Sequence, residues 1–407
     1  MQRVKKVGFK ISFCTIVFIC YAVRCINDGM LAFTSLEYSR FFGLLVVLFV
    51  YLSLPLGVIY ALREKKVMLN RAVLCLIPFS FIFMLIVNTY QGYSGEWVTA
   101  FMVSCTFLLL SQNDKSETFK IVYWIIQITN IISLMFYLFA VLDVNIGYTI
   151  VPYYTGVTTV SYYKFGIFAI LRQGFSQLRL CGVFNEPGGL GTICAFLFIT
   201  TFPNSKTWEK IVLLATIAVT FSLAGYLLVF IYVGLYLIKK NKKFIILIPI
   251  IGYLFFIMPT IDFGNETLNY IARRFALTDK GLVGDNRYGS AFENFYQDFL
   301  TSNKVLFGYG YMYPMSLNVS TYKALIIQFG IVGFIYYIGL IAFMAIKYAA
   351  KDKDCILLLI LFLISIYQRP LAVSSLYGFV ILFGGIDYIK VQKQKTAKAE
   401  DMGKVPT

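Results

Sequence analysis

The chain has 407 residues, 59% of them hydrophobic and only 14% charged, with a net charge of +16. Apolar runs close to the twenty residues needed to cross a bilayer recur along it, which excludes an ordinary soluble domain and predicts an integral membrane protein. There is no histidine, so the usual general base and the commonest transition-metal ligand are missing. Chemistry must rest on carboxylates, arginines, tyrosines or lysines, and no metal or cofactor is expected.

In chain order, membrane spans are predicted near residues 8 to 26, 38 to 62, 70 to 90, 96 to 112, 119 to 142, 187 to 202, 209 to 222, 224 to 240, 243 to 260, 321 to 347, 354 to 368 and 371 to 390, which makes twelve helices. The first follows the basic stretch MQRVKKVGFK, as the apolar part of a signal peptide would. No A-x-A cleavage site follows it, so it reads as a retained helix.

The stretch from Lys210 to Ile238 also reads as one long tilted helix, and parity decides between the two readings. The segments Arg63 to Arg71, Lys239 to Lys243, Lys347 to Lys353 and the tail from Lys390 are lysine-rich. The positive-inside rule wants them cytoplasmic with the N-terminus. Only a break near Ser222-Leu223-Ala224-Gly225 puts them all there. A non-helical point is tolerated at membrane depth where it is buried in protein or faces a watery cavity.

The resulting expectation is an all-α polytopic membrane protein of about twelve transmembrane helices. Residues 1 to 407 form a single integral membrane domain, both termini are cytoplasmic, and the tail covers 391 to 407. The positive charge is then mostly a topogenic signal and does not point to nucleic acid.

Eight of the eleven arginines fall on the outer side: Arg24, Arg40, Arg172, Arg179, Arg273, Arg274, Arg287 and Arg369. A guanidinium fork matches phosphate oxygens two at a time where an ammonium cannot. Contact with lipid headgroups accounts equally well for any single arginine, but poorly for clusters in loops. The eight cysteines lie almost wholly in apolar stretches without a CxxC pair and read as small buried hydrophobes.

Two long outer segments, 143 to 186 and 262 to 320, are predicted to be large structured loops, which in compact proteins are usually functional. In the first, Ser161 to Leu180 predicts an amphipathic helix along the interface. Arg172 and Arg179 would share one of its faces and could grip a diphosphate. A plain interfacial helix with a basic edge fits the same pattern.

Asn185-Glu186-Pro187 follows, with Pro187 suited to the first turn of a helix. Glu186 is either a carboxylate at that helix start or, at the membrane rim beside two arginines, a general base. Gly188, Gly189 and Gly191 read as sites of close helix packing.

The second outer segment mixes cations and carboxylates in Arg273-Arg274 and Asp285-Asn286-Arg287. Tyr309 and Tyr311 lie among several tyrosines on which a sugar could stack, or which form an interfacial aromatic belt. Gly308-Tyr309-Gly310 reads as a turn that brings backbone close to a neighbour. Arg369, in the last outer hairpin, could reach the same cavity or anchor at the headgroups.

In these residues and their order, the chain resembles the bacterial Wzy-type O-antigen and capsule polymerases, a superfamily that includes the O-antigen ligases. The likeness lies in the helix number and in Arg179-Leu180-Cys181-Gly182-Val183-Phe184-Asn185-Glu186-Pro187 before a helix. It continues in the Thr220-Phe221-Ser222 break and a large late outer loop with Arg287, then Leu306-Phe307-Gly308-Tyr309-Gly310 and Gly330-Ile331-Val332-Gly333-Phe334.

The resemblance implies a metal-independent glycosyltransferase of the GT-C type in the bacterial cytoplasmic membrane, with its active site on the outer face. Its donor and acceptor would be undecaprenyl-diphosphate-linked oligosaccharides. Membrane lipids and a chain-length regulator protein are its further expected partners. Arg179 and Arg287 would neutralise the departing diphosphate, and Glu186 would deprotonate the acceptor hydroxyl with Asp285 in reserve. Arg172, Arg273 and Arg274 would guide the donor. O-antigen ligases depend on a histidine in the late outer loop, and its absence here favours a polymerase.

A flippase or exporter of the same lipid-linked glycan is the main rival, since it too needs many helices and arginines for a diphosphate. Two related halves and charges deep in the spans would mark that class. A small-solute transporter is disfavoured because no charge lies in the middle of any predicted span.

Overall fold

The computed structural model describes residues 12–28, 40–64, 95–144, 146–154, 159–173, 177–264, 269, 272–278, 281–282, 290–309, 322–349, 352–367 and 376–403. The span expected near 70 to 90 lies outside them.

Helices dominate. They are α1 (Phe13–Asp28), α2 (Arg40–Glu64), α3 (Gly95–Leu108), α4 (Gln112–Val141), α5 (Pro187–Thr201), α6 (Thr207–Thr220), α7 (Leu223–Lys240) and α8 (Leu247–Ile257). After them come α9 (Ser290–Thr301), α10 (Tyr322–Ala349), α11 (Lys353–Ile366), α12 (Leu376–Phe379) and α13 (Gly385–Gly403), the last two joined through π-helical Val380–Gly384. Three of these, α4, α7 and α10, are long and apolar enough to cross a membrane.

Helix α4 shows how the sequence builds such an element. Ser111 caps it by accepting the Asp114 N–H at 3.3 Å, and its hydroxyl donates to the Asp114 carboxylate at 2.7 Å. Phe119, Val122 and Ile126 are buried on one side, while Ile128, Met135 and Leu138 are exposed on another. A helix that is apolar on both its packed and its open side suits lipid surroundings rather than water. At 1.5 Å per residue it is about 45 Å long, more than the hydrocarbon core of a bilayer.

The first outer segment departs from the all-α expectation. Residues 149–182 form an antiparallel sheet of four strands in sequence order: β1 (Thr149–Tyr154), β2 (Thr159–Phe165), β3 (Phe168–Gln173) and β4 (Gln177–Gly182). No interfacial helix spans Ser161 to Leu180. The physical reason is local: β-branched and aromatic residues dominate this stretch. Between paired Phe165 and Phe168 sits a two-residue turn whose first residue, Gly166, has φ +61, the backbone that a tight hairpin demands.

Sheet and helices share one core. Phe165 and Phe168 pack on Phe136 of α4, and Ile170 and Leu180 are buried with α5, which is almost wholly enclosed.

The expected break is present between α6 and α7. Phe221 adopts the left-handed conformation (φ 48, ψ 40), and extended Ser222 caps α7 by accepting the Gly225 N–H at 3.3 Å. This junction lies on the glycine stretch of α5. A Cβ on Gly191 would come within 2.5 Å of Ser222 Cβ, and one on Gly225 within 2.8 Å of the Gly191 carbonyl oxygen. Close packing is thus the role of Gly191.

A second break lies within α10 at Gly330 (φ 69, ψ 175). The turn after α9 fills it. Ile331 and Val332 donate to the carbonyls of Val305 and Leu306 at 2.8 and 3.2 Å, and Tyr309 donates to Ile327 O at 2.7 Å. Backbone groups freed by the break are therefore paired, as an apolar medium requires. The turn predicted at Gly308 does bring backbone close: its missing Cβ would lie 2.4 Å from Gln328 O.

Lysines and arginines mark opposite ends of α4. At its start Lys115 pairs with Asp387 at 3.3 Å, both buried, and with Tyr348, which also bonds Asp387. Nearby ion pairs link α7, α11 and α13: Lys239 with Asp354, and Lys393 with Asp352 and Asp354. At the other end Tyr137 donates to Leu178 O at 3.1 Å, beneath the arginine-bearing strand β4.

Candidate functional site

Strand β4, the α6–α7 break and the residue pair Arg273-Arg274 meet at one place. From β4, Arg179 donates through Nε to Thr220 O at 3.1 Å and through Nη2 to Phe221 O at 3.3 Å. Arg274 donates through Nη1 to the same Phe221 O at 2.8 Å.

These carbonyls end α6, where a helix presents unsatisfied acceptors and the negative end of its dipole. Tyr226 completes the set by donating its hydroxyl to Ala218 O at 2.6 Å, within electrostatic reach of both guanidiniums. The left-handed turn at Phe221 aims its carbonyl away from the helix axis, so one oxygen can serve both arginines.

Glu186 lies at the start of α5, where Gly188 O accepts from Ser222 Oγ of the break at 3.5 Å. It is the extended N-cap of α5, followed by Pro187 at the first helical position, and its side chain does not cap the helix. Burial pushes the Cys181 thiol up to about 12, with the Arg179 guanidinium pulling it down and the Glu186 carboxylate raising it, so both charges lie near that one sulfur.

Arg172 is placed differently from the sequence expectation. In the sheet, Arg172 is paired with Leu178 and Arg179 with Leu171. Directly opposed residues share a face and consecutive ones alternate, so the two arginines leave on opposite faces. The Arg172 guanidinium bonds the Tyr163 hydroxyl and lies 5.6 Å from that ring's centre. A shared helical face for Arg172 and Arg179 is therefore corrected, because strand periodicity replaces helical periodicity.

Arg273 and Arg274 also diverge. Arg273 is exposed and faces the neighbourhood of Asp262. The Gly264 amide and the Asn269 side chain, with Arg273 behind them, hold the Asp262 carboxyl below its usual range.

Tyr309 packs its ring against Phe295 and Phe299, at 5.9 and 5.7 Å between centres. Arg287, Asp285, Tyr311 and Arg369 lie outside the described residues.

No protein-family model matches the chain, and no curated protein or solved structure is significantly similar to it.

Three features escaped the sequence reading. The backbone acceptors of Thr220 and Phe221 carry no side-chain signal. Tyr226 was hidden among thirty tyrosines. Asp387, a single carboxylate late in the last predicted span, was the visible sign of the buried pair with Lys115.

Proposed function

We propose that the protein is a polysaccharide polymerase of the Wzy type, crossing the bacterial cytoplasmic membrane with about twelve helices. It transfers a glycan from an undecaprenyl-diphosphate carrier onto a lipid-linked repeat unit at the outer face. The observation that carries this reading is the convergence of Arg179 and Arg274 on Phe221 O, with Glu186 nearby. Two fixed cations at one end of an apolar bundle suit a diphosphate headgroup more than a sugar.

The acceptor hydroxyl attacks the anomeric carbon, the carbon–oxygen bond to the diphosphate breaks, and the diphosphate leaves with the bonding electrons. Arginines aimed at that developing charge lower the barrier without rearranging. Glu186 takes the hydroxyl proton. In this scheme Arg274 joins Arg179 in the role that the resemblance gave to Arg287, and Arg172, on the other face of the sheet, takes no part.

The lysine-rich end of the bundle is the cytoplasmic end, by the positive-inside rule. The lack of histidine separates this reading from that of an O-antigen ligase.

The test uses purified protein in vesicles, given the labelled lipid-linked repeat unit alone. Products lengthened by whole repeats support a polymerase. Unchanged repeat units that cross the vesicle wall would make the protein a flippase and reduce the arginines to binding groups.

A further inference from the structure

The sheet is seated unevenly on the helices. Ile150, Tyr163, Ile170 and Leu180 are cross-strand neighbours in one row on one face. Ile170 and Leu180 are fully buried, Tyr163 is half-buried, and Ile150 is 57% exposed. Strands β3 and β4 therefore lie over the bundle, while the same face of β1 overhangs its perimeter.

Tyr148 shares that face, with its ring 4.7 Å from Tyr163 and 5.6 Å from Phe165, and is itself 42% exposed. The overhang follows the open side of α4 directly along the chain. The chain that joins them exposes Val141, Leu142, Val144 and Ile146. Exposed Asp143 is the one charge among these described residues, so the connection from the candidate membrane span to the downward face of the sheet is mostly apolar.

We infer that this face of β1 is a lipid-docking surface, seated on the acyl chains of membrane phospholipid at the arginine-bearing end of the bundle. The depth is limited by chemistry. Among the described residues β1 is an edge strand, with one row of backbone N–H and C=O groups facing away from β2, and unpaired groups of that kind are not tolerated in the hydrocarbon interior. The edge stays at the headgroup level, with Ile150 pointing inward and the amphipathic ring of Tyr148 at the boundary, where tyrosine is favoured. Docking there fixes the height of β4, and with it of Arg179, relative to the phosphates of a lipid carrier.

The inference rests on the reading of α4 as a membrane span but not on the polymerase activity, and its test separates the two. The variants Ile150→Cys, Thr149→Cys and Met135→Cys each carry a nitroxide label in the whole chain in phospholipid nanodiscs, with the unsubstituted protein as labelling background. Relaxation by oxygen, which enriches in lipid, is compared with relaxation by a water-soluble nickel chelate.

We expect the label at 150 to resemble that at 135 in favouring oxygen, while 149, on the opposite face, favours nickel. A lipid-exposed 135 with a water-exposed 150 overturns the docking surface alone. If 150 is shielded from both reagents, a protein contact replaces the lipid. If 135 is also water-exposed, the membrane placement of α4 falls with it.

Discussion

Arg179 and Arg274 donate to the same acceptor, the carbonyl oxygen of Phe221, at 3.3 and 2.8 Å. Two like charges sharing one neutral oxygen repel, and what offsets this is the negative end of α6. A left-handed aromatic residue holds the oxygen in place, a conformation costing roughly 1–2 kcal/mol outside glycine and asparagine. Strain of this kind is found where geometry matters for function. We expect Phe221→Gly and Phe221→Asn to keep both the turn and glycan elongation. Phe221→Val, β-branched and unsuited to that backbone, should lose elongation. Equal rates in all three variants, by product sizing, would show that the carbonyl does not position the pair.

The break in α10 gives a stability test. A Cβ on Gly330 would sit 2.1 Å from Leu306 O, with φ at +69. Gly330→Ala should therefore destabilise by about 1–3 kcal/mol from backbone strain alone, with the clash added. Gly234→Ala, in α7 with nothing within 4 Å of its Cβ, should be neutral or stabilising by up to about 1 kcal/mol. Thermal unfolding in detergent distinguishes them, and similar midpoints would contradict the packing described around the break.

Much of the helical plan was legible because apolar runs and lysine punctuation are strong signals. Bounds expected for α5 through α7 agree closely with those observed, while α4 ends as expected but begins at Gln112 rather than near 119; charge parity placed the break near Ser222, next to the left-handed Phe221. The sheet was missed because Arg172 and Arg179, seven apart, satisfy a helical face as readily as two strands do. The alternation in Ser161-Tyr162-Tyr163-Lys164-Phe165 and the following Gly166 were the better guide. The partnership of Arg179 with Arg274 could not be read, since it runs through a backbone oxygen.

The Lys115–Asp387 pair, at 4% and 1% side-chain exposure, joins α4 to α13 with Tyr348 of α10 between them. Removing one charge leaves the other buried without its counterion. Asp387→Asn should cost about 3–5 kcal/mol. Replacing both, as Lys115→Met with Asp387→Leu, should cost less than either single change. Unfolding midpoints of the three variants measure this, and additive losses would show that the charges do not act as a pair.

At the end of α10 away from Tyr348, Lys323 donates to Glu293 at 2.6 Å and ties α9 to α10. That hydrogen bond holds the Glu293 carboxyl below its ordinary value of 4.5. The contribution to stability is complete above that value and is lost as pH falls through the depressed one. Because Glu293 is 38% exposed, solvent screening keeps it small. Amide exchange in α9 should therefore be steady in its protection from pH 7 (about neutral) down to the carboxylate range and faster below it, with Glu293→Gln removing the dependence. A profile unchanged by Glu293→Gln would assign the acid sensitivity elsewhere.

The central claim is that Arg179 and Arg274 stabilise a departing diphosphate, and the most direct measurement is the rate of repeat addition by purified wild-type, Arg179→Lys and Arg274→Lys proteins. Lysine keeps the charge and loses the fork. We expect the wild type to form a ladder spaced by one repeat, and each lysine variant to slow it by about a hundred- to a thousand-fold. A ladder formed by both variants at the wild-type rate, or no ladder from the wild type, would contradict the account.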